Sequence, residues 1–154
     1  MTAKPGTGNI EPGTFIWPVR VYHEDTDGSG VVYYANYLKF LERARTEWLR
    51  ALGFEQTELA ARHQIAFVVR SLSIEYTKPA AFNDSLTVTV ELVEMKGGQI
   101  VLAQRVTRAG LELASARVRI ACINTASFRP VRIPGSLADS LAGAARAGPA
   151  GDSR

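Results

Sequence analysis

Between residues 37 and 52 apolar side chains recur every three or four positions, as Tyr37, Phe40, Leu41, Ala44, Trp48, Ala51 and Leu52. Lys39, Glu42, Arg43, Arg45 and Arg50 fall outside that stripe, so the spacing predicts an amphipathic helix with one face in a core. Asn36 offers an N-cap and Gly53 a C-terminal stop. Elsewhere the period is two. FIWPVRVY (15–22) alternates as a strand in which Pro18 marks an edge or a bulge. After a short helical stretch at 57–64, IAFVVRSLSIEY (65–76) reads as a long strand ended by Lys78-Pro79. LTVTVELVE (86–94) and residues 100–108 flank a Gly97-Gly98 turn, and residues 113–123 repeat the alternation. Short connections predict antiparallel pairing in sequence order. One long helix of roughly 25 Å, matched by strands of seven or eight residues, can be wrapped lengthwise by a single sheet. The class is α+β.

Composition narrows this without redirecting it. The chain has 154 residues, 46% hydrophobic and 21% charged, enough for one domain with a real core. It has no apolar run of the roughly 18 residues that a membrane helix needs. MTAKPGTGNIEPGTF lacks the apolar core of a secretory signal, so a cytoplasmic protein is expected. A net charge of +3 is too mild to argue for nucleic acid but leaves room for a basic rim around a phosphorylated small molecule. Cys122 has no internal disulfide partner. In RVRIACIN it shares a face with Val118 and Ile120, opposite Arg117 and Arg119, as a small buried hydrophobe would. Gly-, Ala- and Pro-rich ends read as mobile tails over residues 1–13 and 135–154, the latter with room for a short helix before disorder. Residues 14–134 are the domain.

The chemistry concentrates in HEDTDGSGVVYYANY, residues 23–37. Asp25, Asp27, Ser29 and Gly30 match the opening of a calcium loop, but its twelfth position is Asn36 rather than a bidentate acid, and a strand leads in instead of a helix. Consecutive His23, Glu24 and Asp25 point to different sides of an extended segment and make no zinc site. A carboxylate before a helix start fits better. The unpaired N–H groups of a first turn stabilise a carbonyl oxygen that becomes negative, and Asp27 is placed to attack the carbon or to orient a water. Gly28 and Gly30 permit close backbone approach, and Val31, Val32 and Tyr33 supply a dry wall. An Asp-Gly turn of purely structural use remains the alternative. His23 reads as a half-buried partner for a carboxylate, and His63 as a solvated surface residue.

WPVRVYHEDTDGSGVVYYANYLKFLERARTEWL, continued by IAFVVRSLSIEYTKPAAFNDSLTV, resembles the hotdog-fold acyl-CoA thioesterases. It is most similar to their Tol-Pal-associated branch and to 4-hydroxybenzoyl-CoA thioesterase. The resemblance implies a hotdog fold in which about five antiparallel strands wrap the central helix. It also implies active sites at a dimer interface, dimers that pair into tetramers, Asp27 as the acid and the Tyr34 N–H as oxyanion donor. His23 stands where the Tol-Pal branch often has tyrosine, and Tyr34 where it often has histidine, so His23 is a candidate for orienting or proton handling. The expected substrate is acyl-CoA, with acyl carrier protein as a second partner and no metal or bound cofactor. Arg70, Lys96, Arg117, Arg119, Arg129 and Arg132 are candidates to hold its phosphates, with Arg70, Lys96 and Arg129 foremost. Two rival readings stay open: a hydratase of acyl thioesters on the same fold, and a non-catalytic module that binds acyl carrier protein.

Overall fold

In the computed structural model, which describes residues 9–11 and 13–146, Tyr37–Ala51 forms helix α1. Its buried face is Tyr37, Phe40, Leu41, Ala44, Trp48 and Leu49. Ala51 is exposed and Leu52 only half-buried, because the helix stops there. Leu52 N–H reaches back to Trp48 O at 3.1 Å, and Gly53 takes φ +95°, a left-handed conformation that a side chain would resist. The start differs from the expected N-cap. A 3-10 turn, Tyr34–Asn36, leads directly into α1, Asn36 has helical backbone angles, and its side chain caps nothing.

Six strands, β1 (Asn9–Glu11), β2 (Thr14–Arg20), β3 (Ile65–Tyr76), β4 (Ser85–Lys96), β5 (Gln99–Arg108) and β6 (Leu111–Asn124), form one antiparallel sheet in the order β1-β2-β4-β5-β6-β3. The five longer strands wrap α1, whose buried face meets Leu86, Val88, Val90, Leu102, Val118 and Ile120 in one core. Between α1 and β3 a short helix α2 (Gln56–Glu58) runs into a π-helical turn, Leu59–His63, and His63 is exposed.

Strand order departs from the sequence expectation at one place. β4, β5 and β6 are consecutive hairpins, but β3 pairs with β6 and β4 pairs with β2. Residues 77–84 are too long and too proline-bound for a hairpin turn, so the chain crosses to the far side of the sheet instead. Among the described residues β1 covers only Thr14–Ile16, so Pro18 has no described strand partner on that side of β2. β3 is the opposite edge. Among the described residues its only strand partner is β6, and Val68, Val69 and Tyr76 stand 39%, 48% and 43% exposed along it.

The stretches read as tails are partly built into the fold. β1 lies within residues 1–13, and Gly135–Arg146 forms helix α3, whose Leu137 and Leu141 are fully buried in the core. Two leucines four positions apart on one helical face suffice to dock it. The remainder of both expected tails, residues 1–8 and 147–154, lies outside the described residues. No helix among the described residues is long and apolar enough to cross a membrane.

Candidate active site

β2 ends at Arg20, and the chain turns through a 3-10 segment, His23–Asp25, into a tight loop. Asp27 N–H binds Val31 O at 2.8 Å and Gly30 N–H returns to Asp27 O at 3.2 Å, with Gly30 at φ +87°. A non-glycine residue there would be strained. The crossover segment forms the loop's other support: Val32 N–H donates to Ala80 O at 2.8 Å and Val31 bridges Ala81. That segment is itself fixed by Asp84, whose carboxylate accepts from Ala81 N–H at 2.8 Å and from Arg108 at 2.7 Å. The Ala81 N–H, helped by Arg108, holds the Asp84 carboxyl below the usual carboxylate range.

The two aspartates of EDTD have opposite surroundings. Asp25 is 5% exposed, and its carboxylate accepts from Tyr22 N–H and from the Asn36 side-chain amide, each at 2.8 Å. Asp27 faces solvent. Its Oδ1 accepts from Ser29 N–H at 2.8 Å and Ser29 Oγ–H at 2.7 Å, while Oδ2 has no protein partner among the described residues. The Ser29 hydroxyl, then its backbone N–H, lowers the Asp27 pKa, so the group is a carboxylate at neutral pH. The oxygen that holds the turn is therefore not the one left open. Divergence of the two side chains, one inward and one outward, also separates the ligands of the apparent calcium motif.

Tyr34 opens the 3-10 turn before α1 and is 63% exposed. Tyr33 N–H is taken by Asp25 O at 3.0 Å and Asn36 N–H by Tyr33 O at 2.8 Å, whereas Tyr34 N–H has no partner among the described residues. Tyr76 at the end of β3 donates its hydroxyl to Tyr34 O at 2.7 Å. Tyr33, Tyr34, Tyr37 and Tyr76 make a chain of ring contacts with centroids 5.0–6.4 Å apart. Tyr34, Tyr37 and Tyr76 line an open cavity of about 280 Å³ with Val32, Lys78 and Pro79. Of the expected dry wall, Val32 is buried, Val31 half-buried and Tyr33 exposed.

His23 is placed otherwise than expected. It is exposed, and its ring lies flat on Phe82 at 3.7 Å and 10° rather than against a carboxylate. The 3-10 turn after β2 swings it outward onto the crossover segment.

The basic candidates divide. Lys96, Arg119 and Arg132 line one cavity of about 530 Å³, three cations against the single carboxylate of Glu94. Arg129 lies next to it along the chain, its carbonyl accepting from Asn124 N–H at 2.9 Å. Arg117 and Arg119 point away from the core face that Val118 and Ile120 occupy, as the alternation predicts, and Cys122 is fully buried, which pushes its thiol pKa up. Arg70 sits at the bulge between Val69 and Ser71, outside the lining of that cavity. Within one subunit this cavity is remote from Asp27: β4 starts beside the Asp27 loop and ends at Lys96, about 36 Å away for a 12-residue strand. A further cavity of about 270 Å³ opens between α1 and the β3 edge, walled by Trp48, Leu49, Phe67, Val68 and Arg45.

The sequence reading gave Asp25 and Asn36 other roles, a calcium-loop position and an N-cap, and nothing in their spacing says that they meet.

Residues 21–141 match the thioesterase-like superfamily. The acyl-CoA thioesterase YbgC of Haemophilus influenzae is 49% identical over 120 residues, 78% of this chain and 88% of that protein. The acyl-CoA thioester hydrolase YbgC of Escherichia coli is 44% identical over 124 residues, 80% of this chain and 92% of that protein. Among solved structures, a probable thioesterase from Bartonella henselae superposes with a TM-score of 0.74 at 38% identity, covering 77% of this chain and 98% of that one. The chain belongs to the thioesterase-like superfamily, as a hotdog-fold member of the branch related to YbgC.

Proposed function

We propose that the protein hydrolyses acyl-CoA thioesters, with the Asp27 carboxylate acting on the thioester carbonyl and the Tyr34 N–H receiving the developing oxyanion. One observation carries the residue assignment. A solvent-facing carboxylate, kept ionised and with one oxygen free, belongs to the same loop-and-turn unit as an unpartnered N–H at the foot of α1. As nucleophile Asp27 gives a mixed anhydride that water then cleaves, and as base it takes a proton from the attacking water; both roles need the anion. The leaving thiolate, with a reference pKa of about 8.5, departs without a strong general acid. An oxyanion donor of this kind contributes roughly 3 kcal/mol to the barrier reduction.

The proposal includes a homodimer through the β3 edge. A 12-residue bare edge strand with exposed Val68, Val69 and Tyr76 is a pairing surface that a soluble monomer would have to blunt. Two-fold antiparallel pairing sets the Ile65 end of one β3 against the Tyr76 end of the other. The Lys96–Arg119–Arg132 cavity of one copy then lies at the same end of the dimer as the Asp27 loop of its partner, where coenzyme A phosphates would need cations. Acyl carrier protein as an alternative thiol donor, and pairing of dimers into tetramers, belong to the same proposal.

The test is thiol release from short, long and aromatic acyl-CoAs, followed with a thiol reagent. Asp27→Asn keeps an acceptor oxygen for Ser29, so the loop is preserved while the anion is lost. Turnover should fall by at least about 10²-fold; a variant within threefold of the parent removes Asp27 from the mechanism.

A further inference from the structure

We infer that the buried Asp25–Asn36 pair is a positioning clamp that sets the Asp27 loop against the start of α1. The inference rests on the assignment of Asp27 and Tyr34 above. Asp25 accepts hydrogen bonds from three different parts of the site. Its Oδ2 accepts from Tyr22 N–H, which fixes the turn leading into the loop. Oδ1 accepts from Asn36 Nδ2, which fixes the last residue before α1. Its backbone carbonyl accepts from Tyr33 N–H at 3.0 Å, which fixes the residue before the oxyanion donor. Asp27 is two residues further along the same strand of the loop, and Tyr34 is two residues before Asn36. A displacement of either end of the Asp25–Asn36 bond therefore moves one reacting group relative to the other.

Burial makes the clamp stiff. Asp25 is 5% and Asn36 7% exposed, so water does not compete for the bond, and a charged acceptor strengthens it. The polarity also explains why Asn36 does not cap the helix: its amide is committed to Asp25, and the 3-10 turn takes over the entry into α1. Neither residue faces the open cavity beside Tyr34. They act through the groups they hold.

The pairing can be reversed without losing a bond. In the double variant Asp25→Asn/Asn36→Asp, the new amide at 25 accepts from Tyr22 N–H through its oxygen and donates through its nitrogen to the new carboxylate at 36. Asn36→Asp alone sets two carboxylates at hydrogen-bond distance and opens the clamp. Both variants are assayed well below their melting temperatures, with turnover expressed per folded protein. The single variant should lose about 10²-fold in kcat with KM within about threefold of the parent, the size of effect expected when a reacting pair is misplaced by about 1 Å. The double variant should regain kcat to within about fivefold. A single variant that keeps parental kcat overturns the clamp, as does a double variant that folds without regaining turnover or does not fold. Loss of the underlying assignment is distinguishable, because it shows as full activity in Asp27→Asn with Asp25 and Asn36 untouched.

Discussion

Gly98 ends the turn before β5, beside a segment that follows β6, and the fit there leaves no room for a methyl group. A Cβ added at Gly98 would lie 2.2 Å from Val131 O and 3.1 Å from Val131 C, both backbone atoms. Neither side yields freely. Cys122 N–H holds Gly98 O at 2.7 Å, and Val131 N–H holds Cys122 O at 2.9 Å, so the two segments are tied to the same residue of β6. Restoring a normal contact requires a separation of about 1 Å, and overpacking of this kind costs about 1–3 kcal/mol. For a chain of this size that is a fall in Tm of about 2–12 °C. The movement also displaces Arg132, next in sequence to Val131, from the cavity it shares with Lys96 and Arg119. Gly98→Ala should therefore raise KM for acyl-CoA while leaving kcat near the parental value, the pattern of lost uniform binding. Gly97→Ala is the control: its φ of +63° makes alanine strained, but its Cβ meets nothing within 4 Å, so it should cost stability alone. Thermal melts and steady-state kinetics on both variants decide the matter. A Gly98→Ala protein with parental Tm would show that the segment after β6 is not packed as described, and one with a lowered Tm but parental KM would remove the basic cavity from coenzyme A binding.

Tyr37→Phe should destabilise the protein by about 1–3 kcal/mol, because Ala80 N–H, fully buried, donates to the Tyr37 hydroxyl at 3.1 Å and would be left unpaired. Urea unfolding with an unchanged m-value measures this, and an unshifted midpoint refutes it. Ser29→Ala removes the hydroxyl that contributes most to lowering the Asp27 pKa. A depressed carboxylate is active above its pKa and lost as pH falls through it, so the acid limb of kcat/KM should move to higher pH; an unmoved limb separates that limb from Asp27.

Secondary structure was largely legible because one face of each element is buried. The stripe on α1 and the alternation along β3, β4, β5 and β6 come directly from that constraint, and β3 falls on the expected residues, Ile65–Tyr76. What local pattern cannot carry is which strands meet. Hydrophobic alternation in β3 is equally compatible with β4 or β6 as neighbour, and only the length and proline of the 77–84 connection hinted at a crossing. The same limit applies in the site. Asp25 and Asp27 are the same residue type in the same motif, and their difference arises entirely from which side of the turn enters the core. Asn36 has the chemistry of an N-cap, yet its amide serves a carboxylate 11 positions earlier. Of the basic residues, Lys96, Arg119 and Arg132 converge through the β4–β5 hairpin and the segment after β6, a proximity in space that no spacing along the chain reveals.

The bare edge and the helix start are joined through one side chain. Tyr76 closes β3, packs its ring against Tyr34 and Tyr37, and donates its hydroxyl to the Tyr34 carbonyl. In the single chain Tyr33, Tyr34 and Tyr76 are 48%, 63% and 43% exposed, so the cavity beside Tyr34 lies wide open to solvent. Pairing of the proposed kind covers that end of β3. It would exclude water from the Tyr76–Tyr34 bond and strengthen it, since a hydrogen bond gains as the local dielectric falls. It would also lower the dielectric around the Tyr34 N–H, the proposed oxyanion donor, where a fixed dipole is worth most out of water. On the proposed assignment a subunit would supply the carboxylate and the donor already positioned, and a partner paired along β3 would supply the exclusion of solvent that makes them effective.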